Sequence, residues 1–147
     1  MAGKKVLEAV QNHRKYRFNC AQSVALPFCE QLGIDKETTI KAMEGFGGGM
    51  GGYNLTCGAL SAAVFVTSLY HSNASMEKGP ITKRDTYKLC SEVTAGFIEA
   101  CGSDCCKVIR GIDTKKPLKT CDECIAIAAT LAEKALAKPK PQIEEEK

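Results

Sequence analysis

The sequence predicts an all-α fold, a single compact bundle of about six to seven helices with a glycine-rich loop ahead of the central one. Three observations lead there. Clean alternation of apolar and polar residues is missing, and the β-branched residues fall inside patterns of helical period. Capping residues and glycine stops recur at helix-like intervals. Six glycines crowd into positions 45–52, directly before the apolar, small-residue run GALSAAVF.

Each element has a local reason. Val6, Leu7 and Val10 mark one face of a first helix that runs to about Lys15. Asn19 suits the N-cap of a second, from Cys20 to about Leu32, with Gly33 as its stop. Pro27 falls inside that helix and is expected to kink or break it. Asp35 caps a third, which ends near Glu44, where the glycines take over. A fourth spans about Thr56 to Tyr70, and the polar stretch 71–79 reads as a loop. Pro80 suits the first turn of a fifth helix reaching about Ala100, stopped by Gly102. Ser103 caps a short sixth, closed by Gly111, and Thr120 opens a seventh that ends near Lys138. Residues 1–138 therefore form one helical domain, and the proline- and charge-rich tail 139–147 is expected to be disordered.

Composition narrows the function classes. The 147 residues are 44% hydrophobic and 25% charged, ordinary values for one globular domain. The net charge is only +3 and the Lys and Arg are scattered, which argues against nucleic acid. No stretch approaches the about 18 continuous apolar residues of a membrane span, and MAGKKVLEAV lacks a signal-peptide core. The chain is expected to be cytoplasmic. In that reducing compartment its nine cysteines read as ligands or redox thiols rather than structural disulfides, and an odd count does not pair fully.

The placement of those cysteines carries the functional signal. Cys20 follows Asn19, Cys57 follows Thr56, and Cys121 follows Thr120 at the head of the capping box Thr120-Cys121-Asp122-Glu123. Cys105 and Cys106 come just after Ser103. Four expected helix starts thus carry cysteine in the first turn, where free N–H groups and the helix dipole favour a thiolate. If the four ends converge, they make a sulfur-lined cavity that suits a thiolate-bound metal centre or a reactive thiol pair. Consecutive helix positions point about 100° apart, so Cys105 and Cys106 are not expected to face one site together. Cys90 and Cys101 share an apolar face with Val93 and Phe97 and read as core, as does Cys29. Cys121 and Cys124 form a C-x-x-C at a helix start, a candidate redox or metal pair, though without the βαβ context of a thioredoxin or the second knuckle of a zinc ribbon. His13 and His71 lie in polar settings and read as solvated; Met43 and Met50, flanking the glycines, read as packing residues. The glycine loop matches neither a P-loop nor a strand-anchored dinucleotide motif, so nucleotide binding is not expected.

Taken together, Asn19-Cys20-Ala21-Gln22, Gly47-Gly48-Gly49-Met50-Gly51, Cys57-Gly58-Ala59-Leu60-Ser61-Ala62, Gly102-Ser103 and Cys121 form a pattern. It resembles the redox-active family named for its C–GCAxxG–C–C cysteines. The resemblance covers nearly the whole chain except the tail. It implies four key cysteines, which fall on Cys20, Cys57, Cys106 and Cys121. The run from Cys106 to Gly111 fits the family's spacing better than Cys105 does. One departure is Ala62, where the family motif ends in glycine. A related module occurs in split-Soret-type cytochromes, but this chain has no C-x-x-C-H haem attachment.

These readings give a redox or electron-transfer protein as the expected function. Cys20, Cys57, Cys106 and Cys121 would bind a small iron–sulfur cluster, 2Fe-2S or 4Fe-4S, and the bare backbone at Gly48 and Gly49 would approach the sulfurs. The rivals are a metal-free thiol–disulfide protein, in which Cys57 or Cys121 attacks, and a structural zinc or soft-metal site. The expected partner is a redox protein. Gly58, Ala59, Ala62 and Ala63 make a small-residue face that suits packing within the chain or against a second copy, and a homodimer is expected by analogy.

Overall fold

The computed structural model describes residues 3–140, and in that range helices and their connections account for the whole chain. Of the tail expected to be disordered, residues 141–147 lie outside the described ones. Helix α1 spans Lys4–Arg14 and turns Val6 and Ala9 inward. Asn19 caps α2, Cys20–Ala25, with a full capping box: its side chain accepts from the Gln22 N–H, and the Gln22 side chain accepts from the Asn19 N–H. The continuous helix expected to Leu32 changes form at the proline. Pro27 has no N–H to give the preceding turn, so Leu26–Phe28 tighten into a 3-10 turn before α3, Cys29–Leu32. Asp35 caps α4, Lys36–Glu44, by accepting from the Thr38 N–H.

The glycine stretch then closes as a single turn, α5, Gly47–Met50, in which Gly48 and Gly49 take left-handed angles. That turn reverses the chain instead of propagating a helix. Met50 leaves it exposed and at positive φ, so only Met43 of the two flanking methionines is a packing residue. Helix α6, Gly58–His71, starts later than the sequence suggests, with Cys57 itself as N-cap. Helix α7, Lys83–Cys101, likewise starts past Pro80, because residues 80–82 form a turn. Helix α8, Cys106–Arg110, has Cys105 at the N-cap, while the Ser103 hydroxyl accepts from the Cys105 N–H. Helix α9, Cys121–Leu136, opens with the expected Thr120–Glu123 capping box.

Helices α6 and α9 form the central pair, with α2 and α7 against both of them and α1 against α9 and α2. The central pair is built from small residues: Ala59, Ala62 and Ala63 of α6 and Ala128, Ala129 and Ala132 of α9 are all fully buried. Phe28, Phe97, Ile125, Val24 and Val66 supply the bulk of the core around them. The small-residue face of α6, Gly58 included, is used up inside the chain and offers nothing to a second copy. Among the described residues β-pairing is confined to two isolated bridges, Thr56 with Cys105 and Ser75 with Gly79. None of their helices is long and apolar enough to cross a membrane.

Both histidines depart from the solvated reading. His71 lies four residues beyond Thr67 and eight beyond Ala63, on the buried face of α6. It is fully buried, and its Nε2 sits 2.7 Å from the Ala135 carbonyl near the end of α9. His13 meets Asp122 at 2.7 Å, and Arg14 reaches the other oxygen of that carboxylate at 2.6 Å. This pair of contacts ties the end of α1 to the start of α9, beside Cys121.

Candidate functional site

Backbone pairing brings two of the cysteines together. The Cys57 N–H donates to the Asp104 carbonyl at 2.8 Å, the Cys106 N–H to Leu55 at 2.6 Å and the Lys107 N–H to Asn54 at 3.1 Å. The approach to α6 is thus clamped to the approach to α8, and their first residues become neighbours. A second close approach adds Cys20. A Cβ built on Gly58 would lie 2.6 Å from the Cys20 sulfur and 2.6 Å from the Phe46 carbonyl oxygen. Only a residue without a side chain fits there, so the glycine after Cys57 makes room for another cysteine's sulfur.

The result is a cavity of about 60 Å³ lined by Cys20, Cys57, Cys106, Cys121 and Cys124, with Gly48, Ile109, Arg110 and Lys119 completing the wall. Each of the four cysteines singled out in the sequence comes from a different helix start: Cys20, Cys106 and Cys121 are first helical residues and Cys57 is an N-cap. Cys121 is exposed at the rim, whereas Cys57 and Cys106 are buried. Cys105 turns away, its thiol 3.4 Å from the Asn54 carbonyl. Gly48 faces the cavity and its N–H donates to the Cys20 sulfur. Gly49 does not line the cavity. It is wedged behind it, where a Cβ would lie 2.6 Å from Leu55 N and 2.8 Å from the Cys106 Cβ.

Three further contributors join the cavity: Cys124, whose role the sequence left open, and Arg110 and Lys119, which the sequence reading missed. Cys124 is 2% exposed and lies on the same face of α9 as Cys121, one turn on, so the C-x-x-C spacing was its signal. Arg110 stands four residues after Cys106 on α8 and reaches back to its thiol. Lys119 precedes the α9 cap. The remaining cysteines lie apart from the cavity. Cys29 is buried with its thiol 3.3 Å from the Thr39 hydroxyl, and Cys90 is half-buried near the Val64 carbonyl. Cys101 is core, as expected, but its thiol meets that of Cys124, which places it directly behind the site.

The electrostatics single out one sulfur. Cys57 is lowered from the usual thiol value to about 7, first because the Cys124 thiol donates to its sulfur. The N–H groups of Ala59 and Leu60, at the start of α6, add to this effect against the opposing effect of burial. Cys124 is pushed up, since its proton is held in that hydrogen bond and the group is buried. Cys20 and Cys106 are pushed up by burial and then by the negative charge of Cys57, with the Gly48 N–H and Arg110 partly opposing. The cavity therefore favours a thiolate at Cys57 and opposes one at Cys20, Cys106 and Cys124. Cys57 alkylation by iodoacetamide is expected to reach half its maximal rate near pH 7, because the reactive thiolate is populated above the lowered value. Peptide-resolved labelling across pH checks this; a Cys57 profile that rises only above about pH 8.5, like a free thiol, contradicts it.

No group of three or more His, Cys, Asp or Glu among the described residues is placed to hold a metal ion. Five cysteines line the one cavity all the same.

The sequence from 18 to 135 matches the family described as "Putative redox-active protein (C_GCAxxG_C_C)". The chain belongs to this family. The matched span holds the glycine turn and every cysteine that lines the cavity. Set on Cys57, the printed GCAxxG puts its closing glycine at Ser61, not at Ala62 as the sequence reading had it. No curated protein and no solved structure gives a significant match.

Proposed function

We propose that this C_GCAxxG_C_C protein carries electrons on a small iron–sulfur cluster, 2Fe-2S or 4Fe-4S, held by Cys20, Cys57, Cys106 and Cys121. One observation carries the reading: four thiols from four separate helix starts line one cavity, together with Arg110 and Lys119. The donor set fits the group. Thiolates are the usual cluster ligands. Their negative charge is offset here by two cationic side chains and by the helix N-termini behind the sulfurs. A zinc ion would need its sulfurs at about 2.3 Å from one point. A cluster spreads its ligands over several atoms, and here thiols from four helix starts line one cavity.

When bound, the cluster supplies one-electron transfer. The chain does the rest. Cys57 offers a thiolate near neutral pH, while Cys20 and Cys106 must each release a proton, so loading is favoured by rising pH. Burial of Cys57 and Cys106 keeps water from the sulfurs, and the Gly48 N–H on Cys20 raises the potential by stabilising negative charge. Cys121, at the exposed rim, is the edge where a redox partner protein would approach.

Anaerobic purification, followed by iron and acid-labile sulfide assay, tests the proposal. A coloured protein with iron and sulfide in comparable amounts is expected. Colourless, iron-free protein that resists reconstitution would remove it. The lowered Cys57 favours one other reading, a metal-free thiol–disulfide protein with Cys57 as the attacking thiol. Metal analysis of the protein as isolated separates the two.

A further inference from the structure

We infer that the end of the bundle around Cys121 is a docking surface for a partner protein that presents acidic side chains around an apolar centre. The inference deepens the redox reading of the cavity and rests on it for what docking accomplishes. Docking itself is measurable without it.

The fold gathers three segments at this end. Helices α2, α6, α8 and α9 begin there with the cavity thiols. Helix α1 ends there, tied to the start of α9 through His13 and Arg14 on Asp122. The glycine turn lies against α8, and residues 54–55 bond to 106–107. Segments 14–20, 44–57 and 102–123 carry these ends. Together they hold eight Lys or Arg against five Asp or Glu. That is a net +3, the net charge of the whole chain, so the rest of the sequence is neutral in sum. Three of the five acids are already paired: Asp122 with His13 and Arg14, Asp113 with Lys107 at 2.8 Å, and Glu123 with the Thr120 N–H and Lys119. Lys15, Arg17, Arg110, Lys115 and Lys116 have no carboxylate partner among the described residues.

Apolar surface collects in the same place. Among the described residues, seven of the thirteen large apolar side chains that stand exposed fall in these three segments, with Tyr53 at 78% and Tyr16 at 59%. Exposed tyrosines ringed by arginine and lysine are the anchors that protein interfaces favour. All four non-glycine residues found at left-handed angles, Arg17, Met50, Asn54 and Lys115, also lie here. Such strain is kept most often at working surfaces. A second copy would bring like charges together, so it is not the occupant. Glu44, Asp104 and Asp113 are interspersed among the cations, a mixture that fits a protein face better than a uniformly anionic lipid layer. Cys121 stands exposed within this surface, so a docked partner covers the one rim thiol of the four.

The test is isothermal calorimetry on the full-length protein, with purified flavodoxin, a small acidic electron carrier, as the probe. Binding is expected at about 20 mM salt and should weaken about tenfold at about 0.2 M. Lys115 and Lys116 are exposed in a turn, so Lys115→Glu with Lys116→Glu keeps the fold; it should weaken binding about tenfold. Tyr53→Ser should weaken it about fivefold. Lys4→Glu with Lys134→Glu makes the same change of charge at the far end of the bundle, where Gly3 approaches Glu133. That variant should bind within about twofold of the unaltered chain. Equal losses from the two charge reversals would reduce the effect to overall charge and overturn the inference. So would the absence of flavodoxin binding at low salt, or a preference for phosphatidylglycerol vesicles over flavodoxin. Iron and sulfide do not enter the readout, so docking and the cluster assignment stand or fall separately.

Discussion

Gly49→Ala is expected to destabilise the protein by about 3 kcal/mol, with a fall in Tm on the order of 10 °C. Two costs add. Gly49 has φ +71, a left-handed conformation that costs an L-residue about 1–2 kcal/mol. Its missing Cβ would lie 2.6 Å from the Leu55 backbone nitrogen and 2.8 Å from the Cys106 Cβ. Backbone cannot swing aside as a flexible side chain can, and overpacking of this kind costs about 1–3 kcal/mol. The neighbour provides the control. Gly48 has φ +64 but nothing within 4 Å of a built Cβ, so Gly48→Ala should show only the conformational cost of about 1–2 kcal/mol. Denaturant titration of both variants measures the difference. Equal losses would mean that the close approach of the glycine turn to Cys106 is not real.

Cys57→Ala is expected to lower the iron retained after anaerobic reconstitution at least tenfold while the helical content is kept. Cys57 is lowered to about 7, so its loss removes a ligand that gives up its proton readily near neutral pH. It also sits at the junction of three elements, beside Cys20 through Gly58 and beside Cys106 through the backbone pairing of residues 54–57 with 104–107. Cys29→Ala and Cys90→Ala, which touch no cavity atom, should bind iron as the unaltered chain does. Iron, sulfide and visible absorbance on the three variants decide the matter. Iron retained in full by Cys57→Ala would refute the ligand set proposed above.

Helix starts were legible because capping is local. Asn19, Asp35 and Thr120 each bond an N–H only three residues away, so the same atoms act in the sequence pattern and in the fold. That placed Cys20 and Cys121 at their helix ends. His71 was misread because its burial comes from the Ala135 carbonyl, 64 residues further along the chain. Cys124 was left open for a similar reason: its C-x-x-C spacing was visible, but its partner turned out to be Cys57 on another helix rather than Cys121. Arg110 and Lys119 carried no local mark, since a cation on a helix or before a cap is ordinary until its neighbours are known.

By itself the sequence determined most of the helices, the caps at Asn19, Asp35 and Thr120, the reversal at the glycines and the helix-end position of the key thiols, since each depends on contacts within a few residues. Only tertiary structure decided that these thiols share a cavity. That outcome depends on the extended pairing of residues 54–57 with 104–107 and on the absence of a side chain at Gly58, both of which act between segments remote in sequence. It also decided which sulfur carries the charge, because a pKa answers to neighbours in space, and for Cys57 the strongest of them is Cys124.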